Sequence, residues 1–190
     1  MYISRVIIRN FRNFKDTDVY LQQGVSCLVG ENNTGKSNFL YALRLVLDAS
    51  HSSSYRSLTE HDVHASIDIT KPNQVLVSVE FSDFAEKETE DALVGGWQVP
   101  GLNNIARLTY RFRPKENVQN EIIEKRRKPS GLSLDDYHWQ ITGGGNIDPG
   151  KAVWSDSIGV SIRFSDLQLF LVVFLHALRG RAKINRILIC

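Results

Sequence analysis

Apolar and polar residues alternate along several short stretches of the chain, a pattern typical of strands with one face on a core. The apolar run VSCLV, just after a turn at Gly24, is expected to be a central strand that buries the thiol of Cys27. The stretches between residues 74 and 124 are expected to form an antiparallel sheet beside it, with the first of them half-buried. Strands are predicted at residues 2–10, 18–21, 25–29, 74–81, 105–113 and, less clearly, 118–124.

A helical spacing of apolar residues predicts a helix at residues 36–48, directly after the central strand. Ser82 and Asp83 can cap a second, short helix at about 84–93. Polar residues 49–56 are expected to form a loop, and residues 57–64 a short turn or a single helical turn. The run at residues 169–175 is apolar on all sides, so its period leaves a helix and a buried parallel strand open. Its β-branched and aromatic residues favour the strand.

Between the central strand and the first helix, residues 30–37 read Gly-Glu-Asn-Asn-Thr-Gly-Lys-Ser, which fits the phosphate-loop pattern G-x-x-x-x-G-K-[ST]. Its two glycines let the backbone bend so that several N–H groups face one anion, and the helix N-terminus also favours phosphate. Lys36 is expected to reach the β- and γ-phosphates of a nucleoside triphosphate, and the Ser37 hydroxyl to complete a Mg²⁺ shell. The alternative is a glycine-rich turn with a surface lysine.

Composition sets wide bounds on the class of protein. A chain of 190 residues, 42% apolar and 23% charged, can build one globular domain or a piece of a larger one. The formal net charge of +2 says nothing about a nucleic-acid partner. Two distant cysteines favour neither a disulfide framework nor a zinc site, and the five histidines show no ligand spacing. The N-terminus lacks the pattern of a signal peptide and no apolar run is long enough for a membrane helix, so a cytoplasmic protein is expected.

One basic cluster, Glu-Lys-Arg-Arg-Lys-Pro-Ser-Gly at residues 124–131, has two interpretations. It could contact the phosphate backbone of DNA. A solvated hairpin tip is favoured, because four basic residues without interleaved aromatic residues are a weak indication of nucleic-acid binding.

Two segments of the chain resemble a known family. Residues 3–14 read Ile-x-x-x-x-Ile-x-Asn-Phe-Arg-Asn-Phe, and residues 30–43 read Gly-Glu-Asn-Asn-Thr-Gly-Lys-Ser-Asn-Phe-Leu-x-Ala-Leu. Together they resemble the N-terminal half of the ABC-type ATPase head of the RecF and SMC proteins and the OLD-family nucleases, and the OLD family most closely. The resemblance covers residues 1 to about 179 and is strong in the first 50.

The resemblance implies an α/β fold of the P-loop NTPase class, the N-terminal lobe of an ABC-type ATPase head with an antiparallel β subdomain. It implies a P-loop core at 1–56, a β-rich subdomain at 57–164, and a buried strand with a divergent tail at 165–190. It also implies ATP and Mg²⁺ as cofactors. Further implications are a homodimer that sandwiches ATP between two heads and DNA as a possible partner. No association with a membrane is expected, because no apolar run is long enough for a membrane helix.

Carried over by position, the nucleotide-contacting arginine of the Asn-Phe-Arg corner is Arg12; a surface arginine at a strand end is the alternative. Asp62 lies where the family often has an acidic residue; a contact with the metal is one hypothesis for it, and a helix cap is the favoured one. Lys36 would be the catalytic residue, and Ser37 the metal ligand. The implied nucleotide-binding residues are Arg12, Asn13, Gly30, Asn32, Asn33, Thr34, Gly35, Lys36, Ser37 and Asn38.

The chain also departs from the family pattern. No apolar run is followed by the paired acids that hold Mg²⁺ and the attacking water, and the nearest candidate, Leu-Ser-Leu-Asp-Asp at 132–136, is a poor central strand. No signature motif and no Toprim nuclease centre are found. Gly180 begins a basic tail where the family continues with an acid. These departures lead to the hypothesis of a truncated or frame-disrupted head.

Three functional hypotheses follow. The first is an ATP-binding lobe of an OLD/RecF-like ATPase linked to DNA processing, such as repair or phage defence, and incomplete for hydrolysis. The second is a nucleotide-binding regulatory module that associates with a complete partner. The third is a fragment that does not fold stably, because a sheet without its second half leaves an open apolar edge.

Overall fold

One antiparallel sheet organises the computed structural model, which describes residues 1–32, 34–50, 52–84, 88–162, 164–167, 172–174 and 187–189. The order of its strands is β2-β1-β3-β4-β5-β6, and each neighbouring pair is antiparallel. The strands are β1 Tyr2–Phe11, β2 Phe14–Tyr20, β3 Val75–Ser82, β4 Ile105–Pro114, β5 Tyr137–Gly143 and β6 Val160–Ser161. The sequence predicted the first four within a few residues but missed β5 and β6.

Short helices connect these strands. The α-helices are α1 Lys36–Leu47, α2 Ser53–Arg56, α3 Glu88–Val94, α4 Glu116–Ile123 and α5 Phe164–Leu167. Single 3₁₀ turns span Glu60–Asp62, Gly95–Trp97 and Leu134–Asp136. A separate pair of strands, β7 Val172–Phe174 and β8 Ile187–Ile189, is antiparallel. The strand predicted within 169–175 is therefore confirmed at β7 but is not parallel, and 169–171 and 175 lie outside the described residues.

The core lies between one face of the sheet and α1. Phe39, Leu43 and Val46 repeat at helical spacing on α1 and are buried in the same cluster as Ile8 of β1 and Val77 of β3. Burying an aliphatic or aromatic side chain of this size contributes about 1.5–3 kcal/mol. The predicted helix at 36–48 is confirmed, and its packing fixes the helix N-terminus beside the β1–β2 corner.

A segment at residues 144–159 covers the opposite face of the sheet. Ile158 packs on Ile7 and Leu76. The buried Arg111 guanidinium donates to the carbonyl of Val153 at 2.8 Å, and that of Arg107 to the carbonyl of Ile147 at 2.9 Å. The strand predicted at residues 74–81 is confirmed as β3, but the prediction that it is half-buried is wrong, because both of its faces are covered.

The apolar run at residues 25–29 is not a strand. Val25 is 94% exposed, Val29 is 93% exposed, and Cys27 is an exposed free thiol. The predictions of a central strand and of a buried thiol here are wrong. The physical reason is the lack of a partner: a strand needs an adjacent backbone for its N–H and C=O groups, and the described part of the chain pairs none with this run.

Two further predictions of local structure are wrong. Residues 118–124, predicted as a strand, lie mostly in α4, because Pro114 ends the preceding strand and Val118 turns into the core one helical turn later. The loop predicted at 49–56 contains the helical turn α2, whose last residue, Arg56, is fully buried. Arg56 donates to the carbonyl of Leu45 at 3.0 Å and thereby satisfies the end of α1.

The predicted division at residue 56 stays a prediction, although strands from both sides of that residue share the main sheet. Among the described residues, no helix has both the length and the apolar character needed to cross a membrane. The expectation of a cytoplasmic protein stays a prediction.

Candidate phosphate-binding site

The loop at residues 30–37 leads directly into the N-terminus of α1. Gly35 is the N-cap, with φ 102° and ψ 4°, and no side chain among the described residues caps the helix. The first N–H groups of a helix have no partner within the helix, so they are available to an anion here. Glycine is required at this position because its φ is one that L side chains rarely adopt.

The Lys36 side chain turns back over the loop. Its ammonium group donates to the carbonyl of Gly30 at 2.7 Å and also to that of Glu31. The Thr34 hydroxyl donates to the same Glu31 carbonyl at 2.9 Å, which closes the loop on itself. An ammonium group has three N–H donors, so one of them has no acceptor in the described part of the chain and is left for a ligand held by the loop.

The corner between β1 and β2 is tied to the start of α1 through Asn38. The Oδ1 atom of Asn38 accepts a hydrogen bond from Nη1 of Arg12 at 2.9 Å, and its Nδ2 donates to Oδ1 of Asn13 at 2.8 Å. The Asn13 amide lies so close to the loop that a Cβ on Gly35 would be 2.2 Å from its Nδ2 atom. The Asn-Phe-Arg corner and the phosphate loop therefore form one packed unit.

Asp62 joins this unit from a 3₁₀ turn 50 residues away from Arg12. Its carboxylate accepts from Nε of Arg12 at 3.0 Å and from the Thr59 hydroxyl at 2.9 Å. Burial raises the pKa of Asp62, but the hydrogen bonds from Thr59 and Arg12 outweigh burial and hold the pKa below its ordinary value. The prediction that Asp62 acts as a cap is confirmed by its capping box with Thr59; a contact with metal stays a prediction.

Aromatic stacking fixes the guanidinium plane. The Cζ atom of Arg12 lies 4.1 Å from the ring centroid of Tyr41, which is partly buried and stacks on the ring of Phe11. Sequence reasoning missed Tyr41, although its position one turn after Asn38 puts both residues on the same side of the helix. It also missed Thr59, whose relation to Asp62 matches a capping box.

The structure brings together most of the predicted site residues. Arg12, Asn13 and Asn38 share one hydrogen-bond network, and Lys36 contacts the backbone at Gly30. The side chains of Asn32 and Ser37 are exposed and make no hydrogen bond within the described residues. Asn33 lies outside the described residues. Nucleotide contact by any of these residues stays a prediction.

The residues present fit a magnesium ion only in part. Ser37 offers a free hydroxyl at the start of α1, and Mg²⁺ commonly takes one or two protein ligands with phosphates and water. Within the described residues, no group of three or more His, Cys, Asp or Glu side chains could hold a metal by itself. The acidic pair at 135–136 belongs to a 3₁₀ turn, and Asp136 is bound to Arg127 at 3.0 Å.

The basic cluster at residues 124–131 follows the end of α4, in the segment that connects the antiparallel strands β4 and β5. Lys125, Arg126 and Lys128 are exposed, whereas Arg127 pairs with Asp136. Its hydrogen bond to that carboxylate raises the pKa of Arg127. A DNA contact by this cluster stays a prediction.

Comparison with known proteins identifies the family. Residues 1–138 match the family described as "AAA ATPase domain". The chain is 30% identical over 155 residues to Endonuclease GajA of Bacillus cereus strain VD045, a match that covers 78% of this chain and 25% of GajA. It is also 30% identical over 105 residues to the DNA replication and repair protein RecF of Acetivibrio thermocellus, covering 55% of this chain and 27% of RecF. The matches thus span about a quarter of each of these relatives.

A solved structure from a study of ATP-driven dimerization and DNA-stimulated activation of SMC ATPases superposes with a TM-score of 0.46 and 16% identity. The superposition covers 88% of this chain and 75% of that one, and a score of this size supports no further argument. The family match, by contrast, covers well over half of the chain. The chain therefore belongs to the AAA ATPase domain family, and its fold is the N-terminal P-loop lobe of an OLD/RecF/SMC-like ATPase head.

Proposed function

We propose that this chain binds ATP through the loop at residues 30–37, as the N-terminal lobe of an OLD/RecF-like ATPase linked to DNA processing. The observation that carries the proposal is the N-terminus of α1, which no side chain among the described residues caps, with Lys36 bonded to the loop backbone and Arg12 bonded to Asn38. Family membership supports it, because the matched region includes the whole loop.

In this proposal each side chain has a distinct task. The N–H groups at the start of α1 bind phosphate oxygens, and the free N–H of Lys36 neutralises charge on the β- and γ-phosphates. Asn38 and Asn13 fix the distance between the loop and the β1–β2 corner. The metal, when bound, supplies charge neutralisation between phosphate oxygens, and the Ser37 hydroxyl is the protein group that would hold it.

We further propose that hydrolysis by this chain alone is slow. Among the described residues, the acidic pair nearest to the family pattern for the metal and the attacking water lies in the turn at Leu134–Asp136, where Asp136 is bound to Arg127. Complete turnover would need groups beyond the described residues, including a second head that closes over the ATP. A homodimer and DNA engagement are parts of this proposal, and both rest on the family alone.

The second candidate is a nucleotide-binding module that associates with a more complete partner without catalysis. The exposed apolar run at residues 25–29 favours it, because Val25 and Val29 expose more than nine tenths of their surface next to the phosphate loop. A strand supplied by a partner would cover these side chains and satisfy the backbone beside them.

One pair of assays on the purified 190-residue chain separates the candidates. Phosphate release is followed beside binding of a fluorescent ATP analogue with magnesium, and a Lys36→Ala variant is the control. Turnover that is lost in the variant supports an enzyme, and Lys36-dependent binding without turnover supports the module. Absence of binding by a chain that melts cooperatively would refute both candidates.

A further inference from the structure

The Asp62 carboxylate is held on both of its oxygens. Oδ1 accepts from Nε of Arg12 at 3.0 Å and from Nη2 at 2.9 Å. Oδ2 accepts from the backbone N–H of Thr59 at 3.0 Å and from its hydroxyl at 2.9 Å. In addition, the backbone carbonyl of Asp62 accepts the backbone N–H of Arg12 at 2.9 Å. Asp62 is therefore buried in a fixed orientation, with one oxygen directed at Arg12.

The Arg12 guanidinium has donors to spare. Of its five N–H bonds, two go to Asp62 and one to Asn38, so two have no partner within the described residues. The Tyr41 ring, 4.1 Å from Cζ, holds the guanidinium plane, and 31% of the Arg12 side chain remains exposed. These two donors belong to a guanidinium group that is held before any ligand arrives, and Asn38 connects that group to the first turn of α1.

Asp62 affects the binding of an anion by the two free N–H donors of Arg12 in two opposing ways. Its negative charge lies within 3 Å of the guanidinium and weakens the attraction of Arg12 for an anion. Its two hydrogen bonds also stop a long, partly exposed side chain from moving, so that less conformational entropy is lost when a ligand binds. If replacing Asp62 weakens ligand binding, the ordering of Arg12 is the larger influence. If it tightens binding, the negative charge of Asp62 is the larger one.

We propose that Asp62 is a positioning residue that orients the two free N–H donors of Arg12 toward a phosphate group held by the loop at residues 30–37. The inference rests on the proposed function, because it needs a ligand at that loop. It assigns to Asp62 a role through Arg12 and no contact with the ligand or with a metal.

The test is a double-mutant cycle on the full chain, with a fluorescent ATP analogue and magnesium as the probe. Asp62→Ala is expected to weaken binding roughly tenfold when Arg12 is present, since Arg12 must then be ordered by the ligand. In an Arg12→Ala background the same change is expected to have less than a twofold effect, because no side chain is left to orient.

Glu60→Ala is the matched charge control. Glu60 is an exposed acid in the same 3₁₀ turn, so its removal changes the local charge as Asp62→Ala does and leaves the contacts of Arg12 intact. It is expected to leave binding within twofold or to tighten it. Thr59→Val controls for the cap, because it removes the hydrogen bond from the Thr59 hydroxyl to Oδ2 of Asp62 and keeps the contacts of Arg12. Its binding affinity is expected to stay within twofold of the wild type.

Three results would overturn the inference. They are tighter binding by Asp62→Ala, an equal loss in the Arg12→Ala background, or an equal loss in Thr59→Val. Should Asp62→Ala fail to melt cooperatively, Asp62→Leu takes its place in the cycle, with the same Arg12-dependent loss expected, because a leucine side chain accepts no hydrogen bond from Arg12. Lys36→Ala separates the two claims: binding that depends on Lys36 but not on Asp62 refutes only the positioning role, and wild-type protein that does not bind refutes both.

Discussion

Replacing Gly35 by alanine perturbs the centre of the site in two separable ways. The backbone at Gly35 has φ 102°, which costs an L residue about 1–2 kcal/mol. The new Cβ would also lie 2.2 Å from Nδ2 of Asn13, so the Asn13 amide must move and its bond from Asn38 is lost. That bond is worth about 1 kcal/mol. The expected loss of unfolding free energy is therefore about 2–3 kcal/mol.

Gly24→Ala provides a matched control for the backbone effect. Gly24 has φ 103°, nearly the value at Gly35, but a Cβ there meets nothing within 4 Å. We expect it to lose only about 1–2 kcal/mol, from the left-handed backbone alone. The difference of about 1 kcal/mol between the two variants then measures the contact between the loop and the β1–β2 corner.

Urea denaturation followed by circular dichroism measures both variants. With a slope of about 2 kcal/mol per molar urea, the midpoint of Gly35→Ala is expected to lie about 0.5 M below that of Gly24→Ala. ATP-analogue binding should be lost with Gly35→Ala and retained with Gly24→Ala. Equal midpoints and equal binding would refute the packing of Asn13 against the loop.

Three further predictions concern stability. Val29→Ser is expected to change the unfolding free energy by less than about 0.5 kcal/mol, because this side chain is 93% exposed. Val77→Ala in the core should lower it by about 2–3 kcal/mol. Equal losses of unfolding free energy in urea denaturation would show that residue 29 is packed. Glu80→Ala should lower the unfolding free energy by about 3–5 kcal/mol, because the buried guanidinium of Arg107 then loses the carboxylate to which it donates at 2.7 Å. A loss below about 1 kcal/mol would contradict this. Burial and nearby positive charge lower the pKa of His138 from 6.5, so its contribution to stability is present above pH 6.5 and is lost as pH falls through the lowered pKa. Melting from pH 7 to 5 should therefore show a shallower decline for His138→Gln than for the wild type.

The elements with a clear apolar period could be predicted from the sequence. The helix at Lys36–Leu47 and the strands at Tyr2–Phe11 and Ile105–Pro114 repeat apolar residues at the spacing that their packing needs. The run at residues 25–29 shows the limit of this reasoning. Its composition indicates burial, but composition cannot tell whether a neighbouring backbone is available to pair with it.

The contacts of the site could be predicted only in part. The loop motif and the Asn-Phe-Arg corner identified Arg12 and Lys36 as residues of one site, and the structure brings both close to the start of α1. The partner of Arg12 was not predictable, because Asp62 lies 50 residues away and its spacing fits a helix cap equally well. The buried Arg56 and Arg111 were also beyond prediction, since arginine is usually exposed and their partners here include backbone carbonyl groups.

The most direct test of the central claim is a calorimetric titration of the purified chain with ATP and magnesium, beside the Lys36→Ala variant. We expect saturable binding at one site, weakened about 10- to 150-fold in the variant, because a charge-assisted hydrogen bond to phosphate is worth about 1.5–3 kcal/mol. Absence of binding by the folded wild-type chain, or the same affinity in both proteins, would contradict the assignment of residues 30–37 as the phosphate-binding loop.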